Sequence, residues 1–144
     1  MTIAALDLGR RRIGVAVTDA ALMGAHPVGI VERRALKHDL EAIAAMIRDR
    51  GVSTIVVGLP LNMDGIEGRA ARGARRFAAS IADALGLTVE MFDERLTSFE
   101  ARERLAEMPA KKGARKTALD ALAAVVILEG WMQAHPDKIP RGGR

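Results

Sequence analysis

The sequence has no cysteine and no tyrosine, with one tryptophan and three phenylalanines among its 144 residues. Without thiols there is no disulfide, no thiolate metal site and no cysteine nucleophile, which fits a reducing cytoplasm. Its three scattered histidines, His26, His38 and His135, make a zinc centre a poor expectation. The shortage of aromatics argues against reading bases by ring stacking, so phosphate contacts should dominate if nucleic acid binds. No apolar run approaches the roughly 20 residues needed to cross a bilayer, and the opening residues lack a signal-peptide layout. No membrane partner is expected. Glycine-rich phosphate loops of the GxxxxGKS/T and GxGxxG types are absent, and no serine stands in a GxSxG setting.

What is present suits one globular domain. Hydrophobic residues make up 49% and charged residues 28%. Lysine and arginine outnumber aspartate and glutamate by 22 to 18, which makes a polyanionic partner plausible. The opening stretch, Ile3 to Val17, is an apolar run ending in Asp7, a turn through Gly9 and three arginines, and a second apolar run. It predicts a β-hairpin. A carboxylate ending a buried strand needs positive charge nearby, supplied either by Arg10 to Arg12 or by a metal ion.

Further along, His26–Val31 predicts a third strand, with Pro27 suited to its start or an edge. Asp39–Arg50 has helical spacing at Leu40, Ile43, Ala44 and Ile47 and stops at Gly51. Ser53–Val57 is a β-branched strand, followed by a loop over 61–65 with the Asp64-Gly65 turn signal. Gly68–Leu85 predicts an amphipathic helix with Arg69, Arg72 and Arg76 on its polar side. Leu87–Phe92 is the fifth strand. A capping-box pattern at Thr97 starts a helix to about Met108. Basic residues 109–116 read as a mobile loop, Thr117 to about Met132 as the last helix, and 135–144 as a flexible basic tail. The domain therefore spans 1–134. The order β-β-β-α-β-α-β-α-α implies an α/β fold, a mixed sheet with helices on its faces.

In such a sheet ligands gather beyond the carboxyl ends of parallel strands. Asp7, the loop after the fourth strand and Asp93-Glu94 would share that rim, with Asp120 on the last helix available to join them. Carboxylates that meet can hold Mg²⁺ or Mn²⁺, and two such ions can cleave a phosphodiester. Each residue also has a plainer reading. Asp7 can pair with its arginines, Asp120 can favour the start of a helix, and Thr97 and Ser98 can serve as caps. Of Asp93 and Glu94, strand alternation lets only one point inward.

Four stretches occur in order: Asp7-Leu-Gly-Arg-Arg-Arg-Ile-Gly-Val-Ala16, Val57-Gly-Leu-Pro-Leu-Asn-Met-Asp-Gly65, Asp93-Glu-Arg-Leu-Thr-Ser98 and Lys116-Thr-Ala-Leu-Asp-Ala-Leu-Ala-Ala124. Together they resemble the successive motifs of the YqgF (RuvX) family of nucleases, described both as Holliday junction resolvases and as enzymes maturing the 5′ end of 16S ribosomal RNA. The resemblance implies a ribonuclease H-like five-stranded sheet, antiparallel in its first three strands and parallel in the rest, with helices on both faces. It implies that Asp7, Glu94 and Asp120 bind metal and catalyse hydrolysis, and it selects Glu94 over Asp93. Arg11 stands where the family commonly has lysine, which keeps the charge.

On this reading Arg10, Arg11, Arg12, Arg69, Arg72, Arg76 and Arg95 engage substrate phosphates, with Thr97 and Ser98 lining the cleft. Lys111, Lys112, Arg115 and Lys116 would close over the substrate. The expected partner is nucleic acid, RNA before DNA, with a homodimer left open. Two rivals stand beside it: a non-catalytic RNA-binding module on the same scaffold, and an actin-like nucleotide-binding fold, which would need a second such domain.

Overall fold

Strands β1 (Thr2–Leu8), β2 (Arg12–Thr18), β3 (Ala25–Glu32), β4 (Val52–Leu59) and β5 (Thr88–Asp93) form one sheet in the order β3-β2-β1-β4-β5. The computed structural model describes residues 2–19, 21–22, 24–97, 103 and 114–138, and of 114–120 the backbone alone. β1 pairs antiparallel with β2, and β2 with β3, while β1–β4 and β4–β5 are parallel. This is the mixed sheet expected of a ribonuclease H-like fold. Among the described residues, three helices flank it: α1 (Leu36–Ile47), α2 (Arg69–Leu85) and α3 (Ala114–Ala134).

Strand alternation sorts the sheet into two faces. Ala4, Leu6, Ile13, Val15, Ile55 and Val57 pack against Ile43 and Ile47 of α1 and Ala71, Ala74, Phe77 and Ile81 of α2. Ile3, Ala5, Ala16, Val56 and Phe92 face Ala124, Ile127, Leu128 and Trp131 of α3. Each fully buried Leu or Ile side chain contributes roughly 2 kcal/mol, so these two layers supply the main drive to fold. Because Ile3 and Ala5 face α3, the same alternation turns Asp7 to that side.

The turn after β1 is tight. Gly9 N–H donates to the Arg12 carbonyl at 2.9 Å. A Cβ at Gly9 would lie only 2.7 Å from that oxygen, so the turn tolerates no side chain there. Arg33 grips the same turn from the β3–α1 connection: its Nη1 donates to Gly9 O at 2.7 Å, and its backbone N–H donates to Arg11 O at 2.8 Å. Arg33 also lies over the Phe77 ring at 5.5 Å.

Behind Arg33 sits Asp39, only 2% exposed. Its carboxylate accepts from Arg34 N–H at 2.9 Å, lies 3.0 Å from His38 Nδ1 and reaches Arg33 Nε at 4.0 Å. This explains a correction to the expected helix. α1 starts at Leu36, not Asp39, because Asp39 is a buried anchor one turn inside it. At the other end, Arg48 leaves helical geometry with ψ 143°, so α1 stops at Ile47 rather than Arg50.

The last helix also begins earlier than expected. Ala114, Arg115 and Lys116 are helical, not loop, because nothing after Gly113 breaks a run of good helix formers. The expected helix from Thr97 to Met108 and the loop up to Gly113 lie outside the described residues, Thr97 and Glu103 excepted. Beyond α3, Pro136–Lys138 form a 3-10 turn. Lys138 pairs with Glu90 at 3.5 Å and sits 5.7 Å from the Trp131 ring centre, so this much of the tail is docked.

Candidate active site

Asp7 stands near the carboxyl end of the central strand, with a glycine at its level on each neighbouring strand. Across β2 its partner is Gly14. On the β4 side, the Leu6–Val57 pairing brings Gly58 alongside. Two glycines therefore leave a gap in the α3-facing surface at the level of Asp7.

Glu94 fills part of that gap. It opens a 3-10 turn, Glu94–Leu96, directly after β5. A Cβ built on Gly58 would fall 2.6 Å from Glu94 Oε1 and 2.7 Å from Ile127 Cδ1. The carboxylate thus reaches back over β4 toward β1. Burial first, then the charge of Asp7 and that of Asp93, push the Glu94 carboxyl up to about 7.

Asp93 behaves in the opposite way. Its carboxylate accepts from Arg95 N–H at 2.9 Å and takes the Arg95 guanidinium at 3.1 Å to Nε and 2.8 Å to Nη2. These bonds hold Asp93 below the usual carboxylate range. Adjacent carboxylates are driven apart in acidity, which is how a fold separates a structural anion from a reactive one. Strand alternation alone left Asp93 and Glu94 undecided; the 3-10 turn brings Glu94 to the sheet interior. Thr97 is buried and its hydroxyl donates to Glu94 O at 2.8 Å, closing the turn.

Asp120 lies in α3, one turn before Ala124 and two before Ile127. Its side chain lies outside the described residues, and among the described ones no group of three metal-ligating side chains converges. The arrangement nonetheless suits a hard divalent cation. Two carboxylates repel each other in a half-buried gap kept open by glycines, and every donor is oxygen.

The basic residues are more dispersed. Arg10 and Arg11 are exposed at the hairpin turn. Arg12 lies on β2 and pairs with Glu32 at 3.0 Å. Arg69, Arg72 and Arg76 are exposed on α2, and Arg72 Nη1 donates to Glu67 O at 3.2 Å. Arg75, which the sequence reading passed over, pairs with Glu67 at 2.7 Å. Arg95 is held by Asp93, with its guanidinium edge beside Gly65. Arg115 and Lys116 begin α3; Ser98, Lys111 and Lys112 lie outside the described residues. Sequence reasoning also missed Arg33 and Asp39. The one available signal was a carboxylate between His38 and an apolar helical stripe.

The chain is similar to known proteins in sequence and in fold. A protein of Anaeromyxobacter sp. (strain Fw109-5), provisionally named a pre-16S rRNA nuclease, is 51% identical over 130 residues, covering 90% of this chain and 95% of the relative. One of the same name from Myxococcus xanthus (strain DK1622) is 45% identical over 130 residues, covering 90% of this chain and 86% of the relative. Among solved structures, Thermus thermophilus RuvC in complex with a Holliday junction substrate superposes with a TM-score of 0.54 at 16% identity, covering 93% of this chain and 96% of that one. The fowlpox virus Holliday junction resolvase gives 0.53 at 13%, covering 93% and 99%. At those identities the likeness speaks for the fold. The family profile described as RuvX, Holliday junction resolvase, matches residues 1–134, and the chain belongs to that family.

Proposed function

We propose that this chain is a divalent-metal-dependent nuclease that hydrolyses nucleic-acid phosphodiesters, processing the 5′ end of precursor 16S ribosomal RNA in the cytoplasm. The observation that carries the reading is the Asp7–Glu94 pair. The charge of Asp7 and burial together raise the Glu94 carboxyl to about 7, and a pair of carboxylates this strongly coupled suits a divalent cation. The names of the relatives favour RNA; the name of the family favours a DNA four-way junction as the alternative substrate.

Asp7 and Glu94, with Asp120 from α3, would hold Mg²⁺ or Mn²⁺. Bound there, the ions supply an activated water and offset charge on the phosphate. Asp7 is the rigid member, set by pairing on both sides of β1. Glu94, with its carboxyl near 7 while no cation is bound, would give up its proton to take one at neutral pH. Asp93 keeps Arg95 from quenching Glu94 while leaving the guanidinium partly exposed toward substrate. Arg10 and Arg11 at the hairpin turn, with Arg69, Arg72 and Arg76 of α2, which packs on the sheet face opposite Asp7, would bind phosphates along the backbone farther from the cut, contacts that position without reading sequence.

The test is cleavage of precursor ribosomal RNA, single-stranded RNA and a DNA four-way junction side by side, by the native chain and by Asp7→Asn. The native chain should cut the ribosomal precursor with Mg²⁺ or Mn²⁺, and the variant should be folded and inactive. Equal cleavage by both removes the basis of the proposal. Tight binding without cleavage under every divalent metal makes the chain a non-catalytic RNA-binding module.

A further inference from the structure

The connection from β3 to α1 meets the turn after β1 as a continuation of the sheet. In the β2–β3 ladder Ile13 pairs with Val31 and Arg12 with Glu32. One step further out, Arg33 N–H donates to Arg11 O at 2.8 Å, so the pairing carries on beyond the strands themselves. The backbone of Arg34 therefore runs beside the turn that holds Arg10 and Arg11. That turn leaves β1 just after Asp7 and Leu8, and β3 runs antiparallel to β2, so both segments lie on the rim of the sheet where Asp7 stands.

This corner of the molecule has cations without counter-charges. Arg10, Arg11 and Arg34 are all exposed. The acids around them are engaged elsewhere. Glu32 pairs with Arg12 at 3.0 Å, and Glu41 approaches Lys37 at 4.0 Å. Buried Asp39 accepts from the Arg34 backbone N–H and lies beside His38, while its nearest guanidinium is that of Arg33. Among the described residues no carboxylate pairs with the side chains of Arg10, Arg11 or Arg34. Like charges on adjoining backbone repel one another, and a ligand bearing several anionic groups in a row relieves that repulsion.

Arg33 fixes the geometry from beneath. Its Nη1 donates to Gly9 O at 2.7 Å, its Nε faces Asp39 at 4.0 Å, and its guanidinium lies over Phe77 of α2. One side chain thus ties the turn to both helices on that face of the sheet. A turn held in this way presents its cations with little freedom left to lose on binding.

We propose that Arg34 joins Arg10 and Arg11 in one site for consecutive backbone phosphates of a nucleic-acid strand, with Arg33 as the positioning residue that holds the site together. This rests on the nuclease reading and extends its substrate contacts to a second segment of the chain. Guanidinium groups suit the occupant, since their planar fork matches two phosphate oxygens at once. Contacts of this kind are common to RNA and DNA and read no sequence.

Binding is measured in an Asp7→Asn background, so that no cleavage intervenes, with a fluorescent single-stranded RNA and the DNA of the same sequence. Arg34→Ala should weaken both about tenfold, as expected for one charge-assisted contact, and should lower the slope of log affinity against log salt by about 0.7. Arg33→Lys keeps the charge but loses the fork that faces Gly9 O and Asp39 together. It should also weaken binding, and removing Arg10 and Arg11 should then cost less affinity than in the parent; a thermal melt checks that the variant is folded. Unchanged affinity and slope in Arg34→Ala overturn the site, and so does a loss confined to RNA. Strictly additive losses for Arg33→Lys and Arg10→Ala/Arg11→Ala overturn the positioning role. Cleavage by the native chain is scored separately: if it cuts nothing while Arg34→Ala still loses its phosphate contact, the nuclease reading falls and the site stands.

Discussion

The Glu94 carboxylate occupies the space that a side chain on residue 58 would need: a Cβ on Gly58 would stand 2.6 Å from Glu94 Oε1. Gly58→Ala should therefore displace Glu94, and also press on Ile127 Cδ1 at 2.7 Å. Cleavage should fall about 100-fold, the usual result of moving a reactive group by an ångström. Overpacking should destabilise the chain by about 1 to 3 kcal/mol. Single-turnover rates and a thermal melt on one preparation separate the two effects.

The raised Glu94 carboxyl makes stability depend on pH. In the unfolded chain the group titrates near 4.5, and in the folded chain at about 7. Between those values the folded state holds the extra proton, so the metal-free protein is more stable at pH 5 and loses stability as pH rises toward 7. With solvent screening of a half-buried group, the change should be about 1 to 2 kcal/mol. Glu94→Gln should flatten the dependence. Urea unfolding in EDTA at pH 5 and 7.5 measures both proteins. At neutral pH a divalent cation should release a proton on binding, visible as a buffer-dependent heat in calorimetry.

Asp39 is buried and meets Arg33, Arg34 and His38. Asp39→Ala should cost about 3 kcal/mol, since it leaves a backbone donor and part of a guanidinium without their acceptor. Chemical denaturation reads this directly. A loss below about 0.5 kcal/mol, the range of neutral surface changes, would show that the network is dispensable.

Replacing Arg69, Arg72 and Arg76 by alanine should weaken RNA binding evenly across sequences. It should lower the slope of log affinity against log salt by about 2, at roughly 0.7 per phosphate contact on a single strand. An unchanged slope would return α2 to the role of a solvated surface.

The sheet was readable from the chain because its signals are local. Ser53–Val57 is β-branched and bounded by glycines, and the Gly68–Leu85 stripe places Ala74, Phe77 and Ile81 on the buried side. Asp7 could be singled out because a carboxylate closing an apolar strand is conspicuous. Asp93 and Glu94 could not be told apart, because a 3-10 turn interrupts the period-two alternation on which the choice depends. Asp39 stands at the head of the Leu40, Ile43, Ala44 and Ile47 stripe, so spacing alone puts the helix start there. What makes it a buried anchor is Arg33, on a connection whose path no periodicity encodes. Gly58 carried no local sign that its missing side chain is what admits Glu94.

The chain from Asp39 through Arg33 to the Gly9 carbonyl has a consequence for genetics. A selection for inactive variants would return Asp39 and Arg33 together with the acidic pair, although neither touches the gap those carboxylates share. Suppressors offer a way to sort them. A second-site change that raises overall stability should restore function to the Asp39 lesion, whereas nothing of that kind should revive a chain that has lost Asp7.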